Sequence, residues 1–418
     1  MRKFKIGLIG LGTVGTGVYK ALQKFNDIEI EKIVVKNINK KRDIENFDTS
    51  LLTTNADDVI KNPDIDIVVE VIGGVSPAGE YIAQAIENGK HIVTANKELL
   101  AKKGEELFNL AEKHNKVILY EAAIAGGIPL IMPMKTIMAG NDITKIRAIL
   151  NGTTNYILTK MDNDGISYEQ ALKEAQELGY AETNPTGDVE GYDAMYKITT
   201  LSTIAFKKRI KLENVYREGI TKVRPEDMRK ANELGYKIKL VALGNLNEDG
   251  RADVRVHPML VKKGDSLAHI DYVTNTVCLE GFPMGKIAFT GAGAGEFPTA
   301  SSVVGDIINI IEELKHTDDI LPMMRCNHVE YADMIDIKDT YNRYYLSITA
   351  SNKVGVIGMI GNVCAKRNIS LSTILQKGLS QDNTADITIV TEVCKEADIQ
   401  EAIKELTECK IDSLIRVE

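Results

Sequence analysis

Three acids and a lysine crowd one short stretch of this chain: Glu182, Asp188, Asp193 and Lys197. Such a set suits an amino-acid substrate, because carboxylates hold an ammonium group while a lysine moves protons. Asp193 and Lys197 are four residues apart, so on a helix they share a face. An exposed pair of that kind is worth only about 0.3–0.5 kcal/mol. At about 100° per residue, however, Lys197 falls within about 60° of Ala194 and Leu201. It therefore borders the apolar stripe, where a charged pair fits the wall of a cleft. Lys97 is a second candidate, since it follows the strand-like run His91–Thr94. Ligands of open α/β sheets bind beyond the carboxyl ends of the strands; a single lysine there is otherwise simply solvated.

The N-terminus supplies an element that could position a reaction partner. Gly10-Leu11-Gly12-Thr13-Val14-Gly15 stands directly behind the apolar run Phe4–Ile9. Gly10 allows a sharp turn, Gly12 lets the backbone approach a pyrophosphate, and Gly15 lets the next helix pack on the strand. The first-turn N–H groups of that helix, around Thr13 and Val14, face the anion. Val14, Val18, Ala21, Leu22 and Phe25 give the segment a helical apolar stripe. A dinucleotide site follows. NAD-binding units end their second strand with an acid, whereas this one reads Val34-Val35-Lys36-Asn37, with Lys40-Lys41-Arg42 behind it. Cations at Lys36 and Arg42 favour the 2′-phosphate of NADPH, with NADH possible; the other reading is a solvated basic loop. A second glycine cluster, Thr290 to Gly295 with Gly293 inside it, reads as a helix start open to a phosphate or carboxamide, or else as a surface turn.

Strand-like and helical runs alternate over residues 1–135, which argues for a parallel sheet covered on both faces. Residues 136–317 mix the two less regularly, including a long helix near Val189–Lys207 and a helix about 300–317 that returns to the first domain. Residues 318–343 are rich in Asp and Asn and read as a linker. From 344 to 418 the order is β-α-β-β-α-β, the ferredoxin-like plan. The expected class is α/β: a Rossmann-type nucleotide-binding domain, an α+β catalytic and dimerisation domain, and a ferredoxin-like C-terminal domain.

With 418 residues the chain exceeds a single core. A net charge of −8 argues against a broad nucleic-acid or membrane-binding face. No apolar run reaches the ~18 residues of a membrane span. The five cysteines are scattered without a C-x-x-C pair, which reads as reduced cytoplasmic thiols and not as a zinc site.

Several motifs in order carry a family resemblance: Gly10–Gly15, Glu70–Gly74, Thr94–Lys97, Glu121–Pro129, Ile149–Asn155, Gly179 to Lys197, and Gly291 to Ser301. Together they resemble the homoserine dehydrogenases, over nearly the whole chain. The tail is similar to an ACT domain, with Asn352, Gly355 and Val356 in its ligand-binding first turn. The resemblance implies reduction of aspartate 4-semialdehyde to homoserine with NADPH or NADH, a step towards threonine and methionine. It implies Lys197 as proton donor and Lys97 at cofactor and substrate. Glu182, Asp193, Asp188, Asn151, Gly152 and Thr153 fall to the substrate, and Ile72, Gly73 and Thr94 to the cofactor. It further implies a structural sodium ion at Glu121, Ile124, Gly126 and Ile128, held mostly by backbone carbonyls. A homodimer or homotetramer with threonine as effector is expected of the tail, or an oligomerisation module without a ligand. The competing functions are a nucleotide and amino-acid sensor without catalysis, and another semialdehyde reductase on the same architecture.

Overall fold

The protein is described by a computed structural model covering residues 3–316, 324–326, 328, 330–379 and 384–418. It divides into two compact units. Unit 1 comprises Met1–Ile146, Tyr196–Leu212 and Asn275–Tyr331; unit 2 comprises Arg147–Met195, Glu213–Thr274 and Ala332–Glu418.

Unit 1 is built on strands β1 (Phe4–Ile9), β2 (Ile28–Val34), β3 (Leu52–Thr53), β4 (Ile67–Glu70), β5 (His91–Thr94) and β6 (Ile118–Leu119). Their order is β3-β2-β1-β4-β5-β6 and every pairing is parallel. This is the doubly wound plan, with its switch point between β1 and β4. Both faces of such a sheet are covered, which explains the near-continuous apolar runs of β1, β4 and β5. Helix α1 (Thr13–Leu22) and the helix Glu296–His316 share one core with the sheet, where Val18 and Leu22 join Val303, Val304 and Ile307. Residues Gly291 and Ala292 end a strand, Gly285–Ala292, so only the tail of the second glycine cluster forms the turn into that helix.

In unit 2 one sheet runs Tyr236–Leu246, Ala252–Lys262, Cys409–Val417, Tyr341–Ser351, Thr384–Thr391, Leu371–Leu379. Its last four strands, with the helices Val356–Lys366 and Glu396–Glu405, make the antiparallel ferredoxin-like module expected of the tail. The module is stitched to its neighbour by the parallel register Met259↔Arg416 and Leu260↔Val417. Part of the 318–343 stretch is held by structure: Arg209 bridges to Tyr331 and Ala252 to Met334.

Two local differences from the sequence reading have physical causes. The helix Gly152–Asp164 was not expected, since buried residues on nearly every side leave it without an amphipathic stripe. The helix near Val189–Lys207 is divided into Thr186–Val189 and Tyr192–Phe206. Gly191 breaks it at φ +81°, a left-handed conformation that glycine adopts freely. Among the described residues, no helix is long and apolar enough to cross a membrane.

Candidate active site

Two acids of the Glu182–Lys197 stretch, Asp188 and Asp193, are organised around one amide. Asn151 is the N-cap of the helix Gly152–Asp164, its Oδ1 accepting from Thr154 N at 2.8 Å. Its Nδ2 donates to Asp188 Oδ1 at 2.7 Å and to Asp193 Oδ2 at 2.9 Å. The cap thus fixes the amide, and the amide fixes two carboxylates that lie 37 and 42 residues further along the chain. Asn151 and Asp193 are buried, while Asp188 is half-buried. Thr153 Oγ1 donates to Tyr180 O at 2.5 Å, tying the same helix to the Gly179–Glu182 turn. Gly152 lies against Val273, whose carbonyl oxygen would be 3.0 Å from an added Cβ. Glu182 is exposed, and its backbone carbonyl, not its carboxylate, accepts from Gln176.

Lys197 sits one helical turn beyond Asp193 on Tyr192–Phe206 and is 8% exposed, so it belongs to the interior and not to a solvated face. Lys97 is the first residue of the helix Lys97–Lys113, whose N-cap Asn96 accepts from Leu99 N. Lys102 on that helix places its ammonium 5.4 Å from the ring centroid of Tyr196. This contact brings the helix that starts at Lys97 against the helix that carries Lys197.

At the nucleotide loop, Gly10 adopts φ +109° and donates to Val34 O at 2.9 Å. A Cβ on Gly15 would lie 2.2 Å from Gly10 O, so turn and helix touch backbone to backbone. Gly12 is the N-cap of α1 and offers no side-chain acceptor, which leaves the first-turn N–H groups to an incoming anion. The basic loop has an internal architecture that the sequence hid. Arg42 donates to the carbonyls of Asn37 at 2.9 Å, Lys40 at 2.8 Å and Ile38 at 3.4 Å. Its guanidinium shapes the loop, whereas Lys36 is exposed.

Sequence comparison fits this geometry. The homoserine dehydrogenase family profile matches residues 129–308, its NAD-binding domain profile residues 10–121, and the ACT domain profile residues 344–410. The chain is 41% identical to a homoserine dehydrogenase of Synechocystis over 99% of both chains. It is 36% identical to that of Bacillus subtilis over 98% of this chain and 96% of the relative. The chain belongs to the homoserine dehydrogenase family. Among solved structures, a homoserine dehydrogenase from Thiobacillus denitrificans superposes with a TM-score of 0.93 at 38% identity, covering 100% of this chain and 99% of that one. A hyperthermophilic archaeal homoserine dehydrogenase in complex with NADPH superposes with a TM-score of 0.64 at 27% identity, covering 76% of this chain and 100% of that one. The protein is accordingly an NAD(P)-dependent oxidoreductase acting on a CH–OH group, and its tail is an ACT domain.

For a homoserine dehydrogenase, the Glu121–Ile128 turn has a notable use of its one acid. The Glu121 carboxylate accepts from Leu130 N, Ile131 N and Met132 N at 2.5, 2.7 and 2.8 Å. It thereby satisfies N–H groups at the start of the helix Ile131–Lys135. The Glu121 N–H donates to Asp306, whose pKa burial raises well above the usual carboxyl range. Gly126 adopts φ +57°, and a Cβ there would lie 2.4 Å from Gly293 O. The turn and the second glycine cluster are therefore in direct contact, and Ser302 Oγ donates to Gly126 O at 2.6 Å. Ile124 and Ile128 are buried. No group of three or more His, Cys, Asp or Glu among the described residues could hold a metal ion. In the ACT domain, Gly355 (φ +96°) caps the helix Val356–Lys366, while Asn352 and Gly355 are exposed. An open depression of about 710 Å³ is lined there by Gly355, Gly358, Met359 and Asn362. Two residues of the site went unrecognised in the sequence: Glu70 and Asn96, both buried and both bonded to the Ile72–Gly74 loop.

Proposed function

We propose that this homoserine dehydrogenase reduces L-aspartate 4-semialdehyde to L-homoserine, with Lys197 as the proton donor and Lys97 as its electrostatic partner. The observation that carries the assignment is the Asn151 amide holding Asp188 and Asp193 one helical turn from buried Lys197. Two carboxylates fixed 2.7 and 2.9 Å from one amide nitrogen are a receptor for the substrate ammonium. Glu182, Gly152 and Thr153 complete the substrate wall. The reduced nicotinamide supplies the hydride when bound. Lys197 then gives a proton to the oxygen of the former aldehyde, and a second ammonium at Lys97 stabilises the charge that develops there.

The cofactor assigned is NADPH, with its pyrophosphate at Gly10, Gly12, Thr13, Val14 and Gly15 and its nicotinamide side near Ile72, Gly73, Thr94 and Gly293. The missing acid after β2 and the exposed Lys36 support a 2′-phosphate, and Arg42 supports it by shaping the loop. A sodium ion fits the carbonyls of Glu121, Ile124, Gly126 and Ile128, since a hard cation takes oxygen donors. The domain division at 135, 317 and 343, a cytoplasmic location, and a homodimer or homotetramer complete the reading. Threonine is the effector proposed for Asn352, Gly355 and Val356. One assay addresses the set: homoserine-dependent reduction of NADP and of NAD, each with and without threonine. Turnover with a clear NADP preference and inhibition by threonine is the expected result. An NAD preference would refute the 2′-phosphate assignment, and indifference to threonine in both rate and thermal stability would refute that effector.

A further inference from the structure

The loop Ile72–Gly74 joins two consecutive left-handed glycines, Gly73 at φ +75° and Gly74 at φ +73°, and would be soft if left to itself. Ile72 nonetheless stands 42% exposed on it, a large apolar side chain held towards solvent. Two buried side chains hold this loop. Glu70, the last residue of β4, is 0% exposed. Its Oε1 accepts from Ile72 N at 2.9 Å and Gly73 N at 3.1 Å, and its Oε2 from Thr94 Oγ1 at 2.6 Å. Glu70 and Thr94 are register partners on neighbouring strands, which is why one carboxylate reaches both loops. Thr94 Oγ1 in turn accepts from Asn96 N at 3.1 Å. Asn96, 4% exposed, donates through Nδ2 to Gly74 O at 2.6 Å while its Oδ1 caps the helix of Lys97.

Burying a carboxylate is costly unless donors satisfy it. Here three donors do, and each belongs to a segment assigned to the cofactor. We propose that Glu70 and Asn96 are positioning residues for hydride transfer: together they lock the Ile72–Gly74 loop and the backbone of Lys97 into one rigid block. The inference rests on the assignment of Lys97 and of the 72–73 loop made above.

Two substitutions in the full-length enzyme separate positioning from folding. Glu70→Gln keeps the shape but turns one acceptor oxygen into a donor facing donors. Asn96→Asp keeps the helix cap, since aspartate is an equally good N-cap, but sets a carboxylate oxygen against Gly74 O. The readouts are NADPH affinity by fluorescence, kcat, KM for the semialdehyde, the primary isotope effect with 4-deuterated NADPH, and the thermal midpoint. Both variants are expected to stay folded and to lose about 10- to 100-fold in kcat, the scale of a small misplacement of reacting groups. Their isotope effect should rise because hydride transfer becomes slower, with weaker NADPH binding and little change in KM for the semialdehyde. An unchanged kcat and isotope effect in both variants would overturn the proposal. So would a loss of activity that merely follows loss of folded enzyme. Lys97→Met is run alongside. If it turns over normally, the assignment of Lys97 falls and takes the proposal with it; if it is impaired while the other two are normal, only the positioning role falls.

Discussion

Asn151 spends both amide hydrogens on carboxylates and its oxygen on a helix cap, so it has almost no freedom to reorient. In the proposed mechanism the acids it holds bind and orient, and the proton comes from elsewhere. Lys197 is the residue proposed for that task because it is buried on the same helix as Asp193, in a medium less screening than water. Replacing it tests the division of labour. Lys197→Met retains most of the apolar stem and its packing, and removes only the ammonium. We expect kcat to fall by about 10²–10⁴-fold, the usual contribution of a positioned acid. NADPH binding, followed by fluorescence titration, should stay near that of the parent enzyme. A variant that kept its turnover would remove Lys197 from the chemistry.

The turn between β1 and α1 shows how an element and a site can be the same object. Gly15→Ala should gain helix propensity, worth up to about 1 kcal/mol in a helix interior. It also drives a methyl group to 2.2 Å from Gly10 O, a backbone atom that cannot step aside alone. Overpacking of this kind costs about 1–3 kcal/mol, so the clash wins. Urea denaturation should show net destabilisation of Gly15→Ala together with loss of NADPH binding; a stabilised variant that binds normally would contradict the close-packing role. This turn was legible in the sequence because glycine spacing, a preceding strand and a helical stripe are all local signals. The ferredoxin-like tail was legible for the same reason, its periodicities switching in order. Spacing grouped Asp188 and Asp193 with Glu182 and Lys197, but Asn151 comes from a separate element 37 residues before Asp188 and joined them only through the resemblance. Arg42 was legible only in part: its charge was visible, but its bonds to three carbonyls of its own loop depend on loop conformation. What the carboxylates of Glu70 and Glu121 hold stayed hidden, because a carboxylate that accepts from backbone N–H groups leaves no partner residue type to look for.

Across the whole molecule, buried histidines contribute to acid sensitivity. Burial holds His91 down to about 3 and His328 down to about 4, and pushes His257 well below its ordinary value, helped by Arg416 and Arg255. Each is neutral in the folded chain, and His257 shows how: its Nδ1 faces Pro258 O at 2.8 Å and must carry the proton. The unfolded chain takes up protons at these positions below pH ~6.5, while folded His91 does so only near pH 3. Unfolded chain therefore binds more protons in that window, and stability is complete above it and lost as pH falls through it. Every such proton contributes a slope of up to about 1.4 kcal/mol per pH unit. Asp306 and Asp253 act in the opposite direction, because burial raises their pKa and the folded state keeps a proton that the unfolded state releases. His91→Gln isolates one contribution, as glutamine stays neutral at every pH. Plotted against pH, the stability difference between parent and variant from urea midpoints should climb by about one proton's slope from pH 4.5 to 6.5 and then run flat to pH 8. Parallel curves throughout would mean that His91 takes up its proton at the same pH in the folded and unfolded chain, and the lowered value would be wrong.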